Sequence, residues 1–95
     1  MDERRERALA LLESQHTFPG PFEFRVVVRP DAGPAALRAV LDTAGGDDRL
    51  VEVTERASEK GNYKSVRVKV HLDHASGVLD VYESLRAVVG VLTIL

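Results

Sequence analysis

Cysteine and tryptophan are absent from these 95 residues, and aromatics make up only 5% of them. Without thiols there is no disulfide, no thiolate nucleophile and no thiolate zinc site, a pattern compatible with a reducing cytosol. An excess of one charge is also missing. Thirteen Lys and Arg face fifteen Asp and Glu, for a formal net charge of -2, so no global field draws the chain onto nucleic acid or an anionic membrane. No segment approaches the roughly 20 apolar residues of a membrane span. The opening MDERRERALALLESQ mixes acids with bases around an apolar stretch too short for a signal-peptide core. These absences lead us to expect a cytoplasmic protein with no membrane association.

What is present is ordinary globular material, 44% hydrophobic and 29% charged, far from the composition of a disordered chain. A chain of this length forms one domain and buries roughly 60 to 65% of its unfolded surface, enough for one modest core.

The segment DERRERALALLESQ has helical spacing, with Asp2 and Glu3 suited to a first turn and Ala8, Leu11 and Leu12 forming a narrow apolar stripe. The following TFPGPF stops it, because Pro19 and Pro21 restrict the residues before them. In FEFRVVVR, Phe22, Phe24, Val26 and Val28 share one parity, which marks a half-buried strand. Leu37, Val40, Leu41 and Ala44 recur at i, i+3, i+4 and i+7 between an Asp31/Gly33/Pro34 start and a Gly45-Gly46 stop.

RLVEVTERA reads as a short strand and YKSVRVKVHL as a longer one, with Val66, Val68, Val70 and Leu72 inward and Ser65, Arg67, Lys69 and His71 outward. Helical spacing returns through Val78, Val81, Tyr82, Leu85 and Val89, with Asp73 or His74 as the expected cap and Gly90 as the stop. VLTIL closes as a β-branched strand. The order β-α-β-β-α-β predicts an α+β, ferredoxin-like sandwich: a four-stranded antiparallel sheet with two helices on one face, behind an N-terminal helix. We expect residues 1–17 to be a helical extension and residues 18–95 the domain. Phe24, Val26, Leu37, Leu41, Val66, Val68, Tyr82 and Leu85 are its expected core.

Three stretches carry a resemblance to a known family. LLESQHTFPGPFEFRVVV is similar to a Leu-rich start followed by a Phe-Pro-x-x-Phe strand entry, here Phe18, Pro19 and Phe22. SEKGNYKSVRVKV resembles a Ser-x-Lys-Gly-x-Tyr-x-Ser-Val signature through Ser58, Lys60, Gly61, Tyr63, Ser65 and Val66, and VLDVYESL resembles a second-helix Val-Tyr-x-x-Leu. The chain therefore resembles the YbeD-like family of small bacterial proteins. That resemblance implies an ACT-like, ferredoxin-like fold and a regulatory role linked by inference to lipoate. It imports no reaction. One departure is Val28-Arg29-Pro30 with a longer PDAGPA loop, where the family commonly has a glycine. A second echo lies in VVVRPDAGPAALRAVLDTAG, which is similar to the strand, loop and helix that open ACT amino-acid-sensing domains. On that reading Asp31 and Gly33 would form an effector loop.

No Ser/His/Asp, Cys/His or paired-carboxylate constellation stands out, so catalysis is not expected. His71, Asp73 and His74 in HLDH are the types of residue that ligate metals, but 71 and 74 point apart on a strand entering a turn and Asp73 suits a cap. We expect no metal and no cofactor. RNA-recognition domains share this topology, yet of the outward positions on the first and third strands only Tyr63 is aromatic, which argues against specific nucleic-acid binding.

The remaining polar wealth lies in the hairpin. Gly61 with Asn62 suffices to reverse the chain, since both tolerate positive φ. That leaves Ser58, Lys60, Tyr63 and Ser65: an amphipathic aromatic beside a cation and hydroxyls, a mixture suited to an anionic group. The expected function is a regulatory module that binds a partner protein through this hairpin or the open sheet face, as a monomer or weak homodimer. The alternative is an ACT-like sensor of an amino acid or lipoyl-type effector.

Overall fold

The structure, a computed structural model, describes residues 2–95. Its elements are α1 (Glu3–Gln15), β1 (Gly20–Val28), α2 (Gly33–Ala44), a 3-10 turn (Asp47–Arg49), β2 (Leu50–Ala57), β3 (Lys64–Leu72), α3 (Ser76–Arg86) and β4 (Val91–Ile94). The strands form one antiparallel sheet in the order β2-β3-β1-β4. This is the expected ferredoxin-like βαββαβ arrangement behind an N-terminal helix.

The two central strands owe their place to parity. Phe22, Phe24, Val26 and Val28 of β1 are buried with Val66, Val68, Val70 and Leu72 of β3, and the register sets Phe24 opposite Val68 and Val26 opposite Val66. A one-residue slip would turn this whole set to solvent, so burial fixes the register. Ala36, Val40 and Leu41 of α2 and Val78, Val81 and Leu85 of α3 close the core from one side. Leu37 and Tyr82 pack at its margin, and the Tyr82 ring meets Phe24 edge to face at 5.5 Å. Burial pushes the Tyr82 hydroxyl above its ordinary pKa.

Several local expectations change. Leu11 is 57% exposed, and α1 instead turns Ala8, Leu9 and Leu12 partly inward. Its remaining tie is an Arg5–Asp80 ion pair at 3.3 Å. Neither Asp73 nor His74 caps α3: the cap position is Ala75, without a side-chain bond, because Asp73 pairs with Arg49 at 3.0 Å. Val89 lies beyond the last turn of α3 and is 87% exposed. Helical spacing continued in the sequence, but the helix stops at Arg86 and the chain then turns into β4.

Candidate functional site

The hairpin between β2 and β3 is closed by the residue that begins it. The Ser58 N–H donates to the Tyr63 carbonyl at 2.8 Å, the Tyr63 N–H donates back to Ser58 Oγ at 3.1 Å, and the Gly61 N–H donates to the Ser58 carbonyl at 2.9 Å. That last bond makes residues 58–61 a β-turn, whose final residue, Gly61, stands at φ +74°. Asn62 does not share the positive φ expected of it, since among the described residues only glycines adopt one. A single left-handed residue completes this longer loop, whereas a two-residue turn would need a pair.

The six hairpin residues named from the sequence thus fall into separate roles. Ser58 and Gly61 shape the turn. Lys60 and Asn62 are exposed at its tip. Tyr63, 46% exposed, stands at the strand entry on the outer sheet face, and Ser65 follows it on the same face with Arg56 and Val27 as its lateral neighbours. Arg56, Ser58, Tyr63 and Ser65 line one shallow depression of about 560 Å³. Arg56 was missed by the sequence reading. The signal was available in β2, where Glu52, Thr54 and Arg56 share the outward parity, but weighing only the first and third strands leaves it out.

The rest of the outer face has no helical cover. Arg67 of β3 lies between Thr54 of β2 and Arg25 of β1, while Lys69 lies between the carboxylates Glu52 and Glu23. Two arginines therefore stand directly opposite each other. Like charges so placed oppose the sheet by a few tenths to about 1 kcal/mol. Arg67 finds partial relief from Glu23 at 3.8 Å. Arg25 and Arg56 make no ion pair among the described residues. Tyr63 is the exposed aromatic of this face, for Phe22 and Phe24 point into the core.

At the alternative effector loop, Asp31 is exposed and Gly33 is buried at the start of α2. A carboxylate of the chain already stands there: Glu55 Oε1 lies 2.8 Å from where a side chain on Gly33 would begin. Lys64 approaches that carboxylate at 3.9 Å. The HLDH residues serve different contacts. His71 Nε2 lies 3.8 Å from Asp73, Asp73 is held by Arg49, and Asp73 and His74 line a cleft with Glu13 and His16 of the α1 end. Among the described residues no three His, Cys, Asp or Glu side chains converge as a metal site, and no helix is long and apolar enough to cross a membrane.

This architecture defines a small α+β protein of ferredoxin-like fold with an uncovered outer sheet face. A family model described as "Protein of unknown function (DUF493)" matches residues 13–95. The chain belongs to this family, the YbeD-like family that its sequence resembles. The fold is shared with the solution structure of protein HP0495 from H. pylori, at a TM-score of 0.65 and 16% sequence identity, over 84% of this chain and 85% of that one. No curated protein matches the chain.

Proposed function

We propose that this protein is a small cytoplasmic interaction module with a regulatory role, binding a partner protein through the end of the β2–β3 hairpin and the adjoining outer sheet face. The observation that carries this reading is Tyr63, held 46% exposed beside Arg56 and the Ser65 hydroxyl on a face with no helical cover. An anchored aromatic next to an arginine is the kind of pair that dominates binding energies at protein interfaces. Binding is favoured over catalysis because the shifted titratable groups have structural explanations. Arg38 with Asp47 and Arg49 with Asp73 are exposed ion pairs, and Tyr82 is shifted by its burial at the core margin. The same face, with one exposed aromatic, suits neither base stacking nor sequence-selective RNA binding.

Affinity capture from the native cytoplasm tests the reading when wild type is compared with Lys60→Ala, Tyr63→Phe and Tyr63→Ala. The side chains changed are exposed, so all three variants should melt with wild type, and the Tyr63 variants should lose the captured partner. Capture unchanged in all three removes the hairpin from the site. The small-molecule reading, an ACT-like effector at Asp31 and Gly33, has less support because Glu55 stands over Gly33. A rise in melting temperature with an amino acid or lipoate, abolished by Asp31→Ala, would restore it.

A further inference from the structure

The outer sheet face is a surface at odds with its own charges. Its strand positions carry Arg25, Arg56, Arg67 and Lys69 against Glu23 and Glu52, although the whole chain has a net charge of -2. The imbalance has a definite pattern. Both carboxylates flank Lys69, at the end of the face away from the hairpin, while Arg25 and Arg67 occupy the middle and Arg56 the hairpin end. Across the central pair of strands Arg25 faces Arg67, and Arg56 stands diagonally from Arg67 on β2. Guanidinium groups suit such a position because they bind carboxylates through two parallel hydrogen bonds and are weakly hydrated.

The arginines are bordered by apolar side chains on the β4 side. Val27 lies next to Arg25 along β1 and pairs with Thr93. The Leu95 N–H donates to the Arg25 carbonyl at 2.8 Å, which places Leu95, 68% exposed, opposite Arg25 at the sheet edge, where it also borders a cleft with Tyr82 and Arg86 of α3. The surface is thus amphipathic in two adjoining bands, cationic over β3, β1 and the end of β2, and apolar over the β1–β4 margin.

We propose that this face docks an acidic segment of a partner protein, whose carboxylates pair with Arg25, Arg67 and Arg56 and whose apolar side chains cover Val27 and Leu95. This rests on the reading that the outer face binds a partner, and it names the chemistry of that partner. A second copy of the chain packed face to face offers the four cations of this face only Glu23 and Glu52, which already stand beside Lys69 and, for Glu23, against Arg67, so charge complementarity selects an acidic occupant. The like-charge pair that opposes the free sheet becomes the asset of the complex, since one carboxylate cluster relieves the repulsion while it forms the new bonds. Lys69 stands between Glu23 and Glu52 and contributes little, while Arg67 exchanges its 3.8 Å contact with Glu23 for a carboxylate of the partner. Arg25 and Arg56 make no ion pair among the described residues that would have to be broken.

The test uses fluorescein-labelled dodecapeptides rich in Asp and Glu with one Leu and one Trp, a counterpart with Lys in place of every acid, and a third with the two apolar residues replaced by Ser. Anisotropy titrations with the full chain should show binding of the acidic peptide alone, weakening steeply between about 50 and 300 mM salt. The serine version should bind more weakly. Arg25→Gln and Arg67→Gln should each lower affinity about tenfold, the loss expected for one charge-assisted contact, with an unchanged or raised melting temperature. Arg7→Gln, exposed on α1, should bind as wild type. No binding of the acidic peptide, or equal binding of the lysine peptide, overturns the proposal, while the capture experiment with the Tyr63 variants still decides whether the hairpin reading stands. Loss with Tyr63→Ala but not with Arg25→Gln or Arg67→Gln also overturns it and leaves the hairpin reading intact. Displacement of the peptide by pyrophosphate at equal concentration identifies a small-anion site, tighter binding of an oligouridine identifies an RNA surface, and arginine-dependent self-association in sedimentation identifies a second copy. Each of these three outcomes overturns the acidic-segment proposal.

Discussion

The Ala32 side chain closes directly over Gly90: a methyl group on Gly90 would stand 2.6 Å from the Ala32 Cβ. The contact ties the loop before β4 to the loop before α2, and backbone bonds reinforce it. The Arg29 N–H donates to the Gly90 carbonyl at 2.8 Å, and the Ala32 N–H to the Arg29 carbonyl at 2.9 Å. Gly90 also sits at φ +97°, where a side chain is strained whatever the space. Gly90→Ala should therefore destabilise the fold by on the order of 2 to 4 kcal/mol, through left-handed strain and a clash between atoms fixed to two backbones. Chemical denaturation should show a lower midpoint with an unchanged slope. A midpoint equal to wild type would mean that the two loops separate at little cost.

Gly33 offers the contrasting case. A methyl group there would meet Glu55 Oε1 at 2.8 Å, but that oxygen is the far end of a flexible, partly exposed side chain. Gly33 lies in α2, where alanine is the better helix former by up to about 1 kcal/mol. Gly33→Ala should therefore fall within about 1 kcal/mol of wild type, with Glu55 swinging outward. A loss as large as that of Gly90→Ala would show that Glu55 is fixed where it stands.

Val68 is 1% exposed in the middle of β3, opposite Phe24 on one side and Val53 on the other. Val68→Ala removes buried methyl groups and should cost about 1 to 3 kcal/mol by thermal or chemical denaturation. A neutral effect would count against the register. Strand parity made this part of the fold legible, because β1 and β3 are covered on one face and wet on the other along their whole length.

Parity was less informative in β2. Val53 points to the helix side opposite Val68 yet remains exposed, because the strand lies at the sheet edge and the helices pack over its neighbours. Sideways position in a sheet leaves little trace in a local pattern, whereas the outward parity of Arg56 was legible in β2 beside Glu52 and Thr54. Leu11 and Val89 show the matching limit for helices. Apolar spacing marks which residues share a face, while packing decides which face is covered and where the helix ends.

Acid should weaken the fold through Asp47 and Asp73. The hydrogen bond from Arg49 holds the Asp73 carboxyl below its ordinary value of 3.8, and that from Arg38 does the same for Asp47. A carboxyl whose pKa is lower in the folded chain takes up its proton more readily when unfolded. Its stabilisation is therefore present above pH 3.8 and is lost as the pH falls from there through the depressed folded value. Asp73→Asn should flatten the acid limb of the melting-temperature profile, and added salt should reduce the difference, since both pairs are exposed. Parallel acid limbs for wild type and variant would show that these pairs contribute nothing to pH dependence.

Ser58 separates turn formation from recognition. Its backbone N–H and its side-chain oxygen both bond Tyr63, at 2.8 and 3.1 Å, so the hydroxyl orients the residue proposed as the anchor. Ser58→Ala keeps the backbone bonds and frees only the Tyr63 N–H, which is exposed and can turn to water. The stability cost should be about 0.5 to 1.5 kcal/mol, the range of one ordinary hydrogen bond. The effect on recognition should be larger than that cost suggests, because a Tyr63 no longer fixed by the turn must be ordered when the partner arrives. Tyr63→Phe gives the opposite profile, unchanged stability with partner capture lost. The pair of variants, compared by denaturation midpoint and by partner capture at equal protein concentration, distinguishes a positioning serine from one that touches the partner itself. If Ser58→Ala loses stability but captures the partner as wild type does, the turn and the binding surface are independent, and Tyr63 is held in place by β3 alone.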